Sequence, residues 1–155
     1  MKNKMTPVAT HYNNVETLVF PDAITLKILL SGKQTDGQLA IFEDIVEPGV
    51  GPGRHIHHRQ DETFFFLEGK FIAEVAGEKH EFEPGDVAYI PRGTVHAFKN
   101  AGDTAGRLRY VFSPAHSIEE MFREFYSAMK KGDLSMEKMT EISIKHGQEF
   151  VGPPL

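Results

Sequence analysis

From Thr17 to Pro114 the sequence alternates short apolar runs with glycine and proline. The runs have strand length, and most are rich in β-branched and aromatic residues, which favour strands. They are ITLKILL (24–30), QLAIFEDIV (38–46), TFFFLEG (63–69), KFIAEVAG (70–77), DVAYIP (86–91) and RLRYVF (107–112). Many short strands separated by turn residues predict an antiparallel sandwich or barrel. We therefore expect an all-β core over residues 17–114.

The hydrophobic pattern changes in the tail, residues 115–155. Its first apolar residues follow the i, i+3, i+4 spacing of an amphipathic helix. They are Ile118, Met121, Phe122, Phe125, Tyr126 and Met129. Ser117 and Glu120 have the spacing of a capping box, and Gly132 is placed to end the helix. The pattern predicts an α-helix that starts after Ser117.

A second, weaker helix is predicted from Met136 to His146, before Gly147. Two helices joined by a turn are also typical of DNA-binding motifs. Residues 117–155, however, carry seven acidic and five basic side chains, with no basic face to contact phosphates. We therefore expect the helices to pack on the barrel, cover its opening or contact a neighbouring subunit.

Length and composition limit the class of protein. A chain of 155 residues is expected to form one domain, 1–155, with its own core. The net charge of −5 argues against nucleic acid or an anionic membrane as a partner. The N-terminal residues lack the apolar core of a signal peptide, so we expect a cytoplasmic protein. The N-terminal arm and the C-terminal helix stripe are the candidate elements for a homodimer contact.

The segment HIHHRQDE, residues 55–62, concentrates metal-ligand side chains. On a strand His55 and His57 point the same way, whereas His58 points to the opposite face. A bend after His58 would return Glu62 toward the pair, and His96 lies on a later strand that a barrel can place beside them. The chain has no cysteine, so any metal must be held by nitrogen and oxygen.

Two interpretations of this segment remain open on spacing alone: a metal site or a polar surface turn. Glycine and proline flank both histidine segments, as expected where the backbone turns close to a site. The other histidines are scattered singly, at positions 11, 80, 116 and 146, and we interpret them as surface or core-edge residues.

Two longer patterns carry a family resemblance. Gly49, His55, His57, Glu62 and Gly69 have the spacing G-x5-H-x-H-x4-E-x6-G. Gly85, Pro91, Gly93, His96 and Asn100 have the spacing G-x5-P-x-G-x2-H-x3-N. The two patterns resemble both motifs of the cupin superfamily at every defining position. The resemblance implies a jelly-roll barrel, a double-stranded β-helix, followed here by the two C-terminal helices.

The same resemblance implies one divalent metal ion, held by His55, His57, Glu62 and His96. Three imidazoles and a carboxylate leave about two positions of a six-coordinate ion open for water, substrate or dioxygen. Fe, Mn, Ni, Co, Cu and Zn all suit these ligands, and ligand type does not select among them.

Strand alternation predicts an aromatic pocket next to the metal. If Glu62 points inward, so do Phe64 and Phe66, while Phe98 accompanies His96 on its strand. Tyr110 and Phe112 share one face of the last predicted strand. Such a pocket suits a planar or hydrophobic small molecule, although each of these aromatic residues could also simply fill the core.

Within the cupins, HIHHRQDETFFFLEG and the helical tail look similar to small single-domain proteins related to quercetin dioxygenases. That resemblance implies that Glu62 is both a metal ligand and the base that accepts the substrate's hydroxyl proton. We expect a dioxygenase-type oxidoreductase acting on an aromatic or enol-bearing small molecule. A non-redox isomerase, epimerase or lyase, and a binding module without turnover, remain alternatives.

Overall fold

A computed structural model describes residues 5–155 of the chain. Residues 1–4, the start of the N-terminal arm that was considered for a dimer contact, lie outside the described residues. Within the described part, no helix is both long enough and apolar enough to cross a membrane.

Within residues 5–155, eleven strands form two antiparallel sheets. The six-stranded sheet has the order β1-β2-β3-β10-β5-β8, and the five-stranded sheet has the order β11-β4-β9-β6-β7. The strand bounds are β1 Thr17–Phe20, β2 Ile24–Leu30, β3 Ala40–Val46, β4 His55–His57, β5 Asp61–Glu68, β6 Phe71–Val75, β7 Glu78–Phe82, β8 Val87–Ile90, β9 His96–Asn100, β10 Gly106–Ser113 and β11 Gln148–Phe150. The expected all-β jelly roll is confirmed.

The core follows from the period-2 alternation of side chains along the central strands. On β10, positions 106, 108, 110 and 112 are buried and the intervening positions are partly exposed. The same alternation buries positions 62, 64 and 66 on β5. The register places Tyr110 between Phe42 on β3 and Phe64 on β5. The inner faces of the two sheets therefore enclose a core rich in aromatic rings.

Strands β7 and β11 were not predicted, because their sequences lack a buried apolar face. Strand β7, EKHEF, is almost entirely exposed and lies at a sheet edge, so its charged residues need no core partner. Strand β11, QEF, returns after the C-terminal helices and pairs with β4. The tail is therefore not only helical, because its last strand becomes part of the barrel wall.

The helix stripe packs on its own barrel. Helices α1 and α2 span Ile118–Lys130 and Met136–Lys145. On α1, Ile118, Met121 and Phe125 are buried, and the ring of Phe122 lies 5.1 Å from that of Phe42. The stripe therefore packs against the chain's own core, and its contact with a neighbouring subunit stays a prediction.

The ends of the helices agree only partly with the expected signals. Gly132 follows the end of α1 with a φ of 71°, a left-handed conformation that glycine adopts without strain. The capping box at Ser117 is not formed, since its side chain makes no capping hydrogen bond. Its hydroxyl instead donates to Nδ1 of His146, at 2.7 Å, because Nε2 of that ring donates to Glu124.

A buried carboxylate fixes α1 to the barrel. Glu119 is 5% exposed, and it accepts hydrogen bonds from the backbone N–H groups of Gly32, at 2.9 Å, and Lys33. Removing the carboxylate leaves these donors without their partner, and an unsatisfied buried group costs about 1–3 kcal/mol.

We therefore predict that Glu119→Ala lowers the free energy of unfolding by about 1–3 kcal/mol in urea denaturation. Glu137→Ala is the matched control, because Glu137 is an exposed acid in the first turn of α2. It should stay within about 0.5 kcal/mol of the unsubstituted protein. Equal effects of the two substitutions would show that the contact with Gly32 does not stabilise the fold.

Candidate metal centre

Three histidines meet at the pairing of two short strands. His55 and His57 lie on one face of β4, where a two-residue separation points both rings into the barrel. His96 is the first residue of β9 and pairs directly with His55 across the ladder. The ring centroids of His55 and His96 are 4.3 Å apart. Backbone register alone therefore brings together residues that lie 41 positions apart in the sequence.

The fourth residue, Glu62, comes from the facing sheet. It is the second residue of β5, which pairs with β10 and β8 and not with β4. The bend after His58 thus carries the chain from one sheet to the other. Ligand atoms of all four residues lie within 4.8 Å of one another, and all four side chains are buried. The cluster therefore spans the interior of the barrel.

The turn before His96 is tied to the other ligand segments. The N–H of Gly93 donates to the carbonyl of His57 at 2.9 Å, and Gly93 has a φ of 83° that favours glycine. Arg92 binds the carboxylate of Asp61 through its backbone N–H, at 2.9 Å, and through its guanidinium. The segments that carry the four ligands are therefore connected by backbone and side-chain hydrogen bonds.

Two of the imidazoles are oriented by backbone carbonyls. Nδ1 of His55 lies 2.8 Å from the carbonyl oxygen of Gly53, and Nδ1 of His96 lies 3.0 Å from that of Thr94. A carbonyl can only accept, so Nδ1 is the donor, and in the neutral ring Nε2 carries the lone pair. Such an arrangement is typical of metal-binding histidines.

The contact between His96 and Glu62 supports a cation at the cluster. Nε2 of His96 lies 2.9 Å from Oε2 of Glu62, and Nε2 of His57 lies 3.3 Å from the same oxygen. In the neutral ring selected by the Thr94 carbonyl, Nε2 and the carboxylate oxygen are both acceptors. A proton or a metal ion is therefore needed to relieve their repulsion. Three imidazoles and one carboxylate, without thiolates, suit a divalent transition-metal ion.

The electrostatics of the cluster also fit a metal site. Burial and the neighbouring histidines lower the pKa of His55 well below its usual value, so this ring is neutral at physiological pH. Burial alone would raise the pKa of Glu62, but interactions with His57 and His96 outweigh it and lower this pKa. A neutral imidazole and an ionised carboxylate are the protonation states that bind a metal ion.

A cavity of about 290 Å³ opens directly onto the cluster. His55, His57 and Glu62 form part of its wall. Of the predicted pocket residues, Phe98, Tyr110 and Phe112 line it. Phe64 and Phe66 do not, which corrects the prediction for these two. They point inward as expected and are buried in the core, where the Phe64 ring lies 6.1 Å from that of His96 and Phe66 stacks on Phe82 with ring centroids 4.2 Å apart.

The C-terminal tail completes the wall of this cavity. Phe122 and Phe125 of α1, Met139 of α2, and Gln148 and Phe150 of β11 line it. Sequence reasoning identified the helix stripe but could not determine which wall it would cover. The helices therefore supply a large part of the apolar surface that a ligand would contact.

The residue most clearly missed by sequence reasoning is Asp44. It lies on the inner face of β3 between Phe42 and Val46, is 3% exposed, and lines the cavity. The alternation of QLAIFEDIV already placed an acid at an inward position, which was the available signal. Burial raises its pKa from 3.8 to about 8, although the hydrogen bond from Tyr110 opposes this shift.

The remaining histidines lie outside the cluster. His58 is exposed, and its Nε2 donates to Glu149 at 2.7 Å. His146, which was interpreted as a surface or core-edge residue, is buried against α1, between Ser117 and Glu124. Its ring connects the start of α1 with the end of α2.

Comparison with known proteins gives a family match and two informative relatives. Residues 42–112 match the model of the cupin domain family. An uncharacterized protein of Methanocaldococcus jannaschii is 27% identical over 73% of this chain and 91% of its own length. Quercetin 2,3-dioxygenase of Bacillus subtilis is 32% identical over 47% of this chain. That match covers only 22% of the dioxygenase, so it does not extend to the whole enzyme.

Solved structures share the fold at low sequence identity. A predicted oxalate decarboxylase of Thermotoga maritima has a TM-score of 0.64 and 18% identity, covering 69% of this chain and 99% of its own. The nucleoside dehydratase Pac13 has a TM-score of 0.63 and 13% identity, covering 97% of this chain and 95% of its own. These similarities show the fold alone, and the resemblance noted in the sequence is confirmed at that level.

We predict that His96→Ala removes most of the bound metal, whereas His58→Ala leaves it nearly unchanged. The first substitution deletes a ligand, and the second removes an exposed ring that faces away from the cluster. Elemental analysis of the purified variants measures the difference. Equal metal loss in both variants would contradict the assignment of the two faces of this segment.

We further predict a pH-dependent effect of Asp44→Asn in chelator-treated protein. Between pH 3.8 and about 8 the folded state keeps a proton on Asp44 that the unfolded chain has released. The unfolding free energy therefore falls with rising pH by up to about 1.4 kcal/mol per unit because of this group. Asparagine does not ionise and removes this pH dependence. The unfolding free energy of Asp44→Asn, relative to that of the unsubstituted protein, should therefore increase from pH 3.8 to about 8.

Urea denaturation between pH 5 and 8 checks this expectation. Asp103→Asn, at an exposed loop position, is the matched control. Its unfolding free energy should differ from that of the unsubstituted protein by the same amount at every pH. A constant or shrinking gain for Asp44→Asn would show that Asp44 ionises normally in the folded protein.

Proposed function

We propose that this chain, whose residues 42–112 match the cupin domain family, is a metal-dependent dioxygenase-type oxidoreductase acting on an aromatic or enol-bearing small molecule. The observation that carries the proposal is the position of the ligand cluster. Three of the four buried metal-ligand side chains, His55, His57 and Glu62, line a cavity whose wall is mainly apolar, and His96 completes the cluster beside them.

The cavity favours a flat, largely apolar substrate. Phe98, Phe112 and Phe150 lie beside the histidines, and further rings from α1 continue the apolar wall. Aromatic rings contribute large contact areas and stack well on other planar groups. A cavity of about 290 Å³ is close to the lower end of the usual range for small-molecule sites. We infer a substrate of up to about three fused or linked rings.

Glu62 is the candidate base. A bound divalent ion supplies Lewis acidity toward a substrate oxygen and, if it is redox-active, electron exchange with dioxygen. Although burial opposes the shift, interactions with His57 and His96 lower the pKa of Glu62, so this carboxylate is a weak base that deprotonates acidic hydroxyls more readily than ordinary ones. Enols and phenols bound next to a cation meet this requirement, whereas aliphatic alcohols meet it less well. The weak basicity of Glu62 therefore fits the acidic hydroxyl of an enol or a phenol, which supports the proposed substrate class.

The similarity to quercetin 2,3-dioxygenase of Bacillus subtilis supports the same class. The matched region is 32% identical over 73 residues, which is a stronger sequence match than the solved structures give. Since it covers 22% of that enzyme, we take from it the reaction type and not the particular substrate.

A second candidate is a non-redox isomerase or lyase. The observation that favours it is Asp44, a second buried carboxyl on the cavity wall whose pKa is raised to about 8. Two carboxyls with separated pKa values can divide the roles of acid and base in proton-transfer chemistry. Solved structures of similar fold include a dehydratase and a predicted decarboxylase.

Oxygen uptake separates the candidates. The protein is reconstituted with Fe, Mn, Ni, Co or Cu and supplied with flavonols and smaller aromatic enols. The dioxygenase proposal predicts uptake with at least one metal and its loss after chelation. Metal-dependent conversion without oxygen uptake would favour the isomerase or lyase, and binding without any product would favour a module that does not turn over.

We predict that Glu62→Gln retains part of the metal but lowers kcat at least about 100-fold, the usual contribution of a general base. Three imidazoles remain to hold the ion, while the amide cannot accept the proton. Glu149→Gln is the matched control, because Glu149 binds His58 on the outer side of the barrel. Full turnover by Glu62→Gln at normal metal content would exclude the role of base.

A further inference from the structure

Asp44 is a polar group in a part of the cavity wall that is otherwise apolar. Its neighbours on the inner face of β3 are Phe42 and Val46, and both are fully buried. A carboxyl at such a position is costly unless it is hydrogen-bonded. An apolar side chain of similar size would fill the space without that cost. The carboxyl therefore calls for an explanation beyond packing.

The partner of Asp44 within the protein satisfies only one of its two oxygens. The hydroxyl of Tyr110 donates to Oδ1 at 3.0 Å. Among residues 5–155, the carboxyl has no other hydrogen-bond partner, and Asp44 lines the cavity. One oxygen is thus available to a molecule that enters.

Aromatic neighbours hold this pair in place. The Tyr110 ring stacks on Phe42, with centroids 5.5 Å apart and planes at 22°, and meets Phe112 edge to face at 5.7 Å. Both contacts come from the inner faces of adjacent strands, β3 and β10. Because the ring is confined, its hydroxyl holds the Asp44 carboxyl in one orientation. A confined hydrogen-bonding group selects ligands better than a mobile one.

We propose that Asp44 is a second polar anchor of the cavity, positioned by Tyr110, which binds a hydroxyl or N–H group of the ligand away from the oxygen that approaches the histidine cluster. The preferred ligands are then aromatic molecules with two polar substituents, such as diols, and not monohydroxylated ones. The inference rests on the proposed function in one respect: the first oxygen of the ligand is assigned to the metal.

The chemistry of the group is consistent with this role. Burial raises the pKa of Asp44 to about 8, so near neutral pH the group is largely uncharged. A neutral carboxyl can donate and accept, and therefore pairs with an uncharged hydroxyl. Sites that hydrogen-bond a ligand hydroxyl discriminate strongly against analogues without it, because the buried polar group is left unpaired.

Binding of naphthalene probes tests the proposal. Zinc-loaded protein, which is redox-silent, is titrated calorimetrically with a series of naphthalenediols, with the naphthols, and with the monomethyl ethers of the diols. We expect the best diol to bind at least about 10-fold more tightly than the naphthols and its own methyl ether, as for one buried hydrogen bond.

The variants assign this preference to particular side chains. Asp44→Leu should reduce the preference for the diol below about 2-fold while leaving naphthol affinity in place. Asp44→Asn, which keeps an acceptor for Tyr110, should restore part of the preference and also serves if the leucine variant does not fold. Tyr110→Phe should lower the ratio of diol to naphthol affinity, a readout that loss of packing alone would not move. Asp103→Leu, on an exposed loop, is the control.

The outcomes separate this inference from the proposed function. A diol preference that survives Asp44→Leu, or the absence of any preference in the unsubstituted protein, would overturn the anchor role of Asp44. If naphthol affinity is the same after chelation, the metal does not hold the first oxygen, and the proposed function fails. Even if the proposed function fails, loss of the diol preference in Asp44→Leu would support the role of Asp44 as a polar anchor.

Discussion

The structure depends on one constraint: three imidazoles and a carboxylate share the interior of a barrel built from aromatic side chains. Taking an isolated charge out of water costs several kcal/mol, and a buried polar group without a partner also destabilises the fold. The cluster offsets this cost through its own geometry, since the Glu62 carboxylate lies within 3.3 Å of two imidazole nitrogens. A divalent cation would satisfy all four groups at once. The site and the stability of the barrel are therefore linked.

The cluster is assembled by backbone pairing, and its surroundings are supplied by the tail. Antiparallel register brings His96 to His55, and the turn at Gly93 is bonded back to His57. Helix α1 and strand β11 then cover one side of the cavity. The C-terminal tail therefore forms a large part of the surface that faces the ligand cluster. In this arrangement the barrel determines the chemistry, and the tail and the Asp44–Tyr110 pair would determine which ligands fit.

Much of this arrangement could be predicted from the sequence because strand alternation is a strict rule. It placed His55 and His57 together and His58 outside, and it placed Phe64 and Phe66 inside on the condition that Glu62 points inward. It could not tell which inward side chains border the cavity, so Phe64 and Phe66 were assigned to the pocket although they pack within the core. Strand β11 was missed because QEF has no apolar pattern, and its pairing with β4 is a tertiary contact. Asp44 was not identified as a site residue, although strand alternation places it on the inner face of β3.

The central claim is that His55, His57, Glu62 and His96 bind a single ion. X-ray absorption spectroscopy of protein loaded with one equivalent of Co(II) tests it most directly. The account predicts a first shell of nitrogen and oxygen only, with the multiple-scattering signature of three imidazoles. A shell of water and carboxylate oxygens, with one imidazole or none, would contradict it.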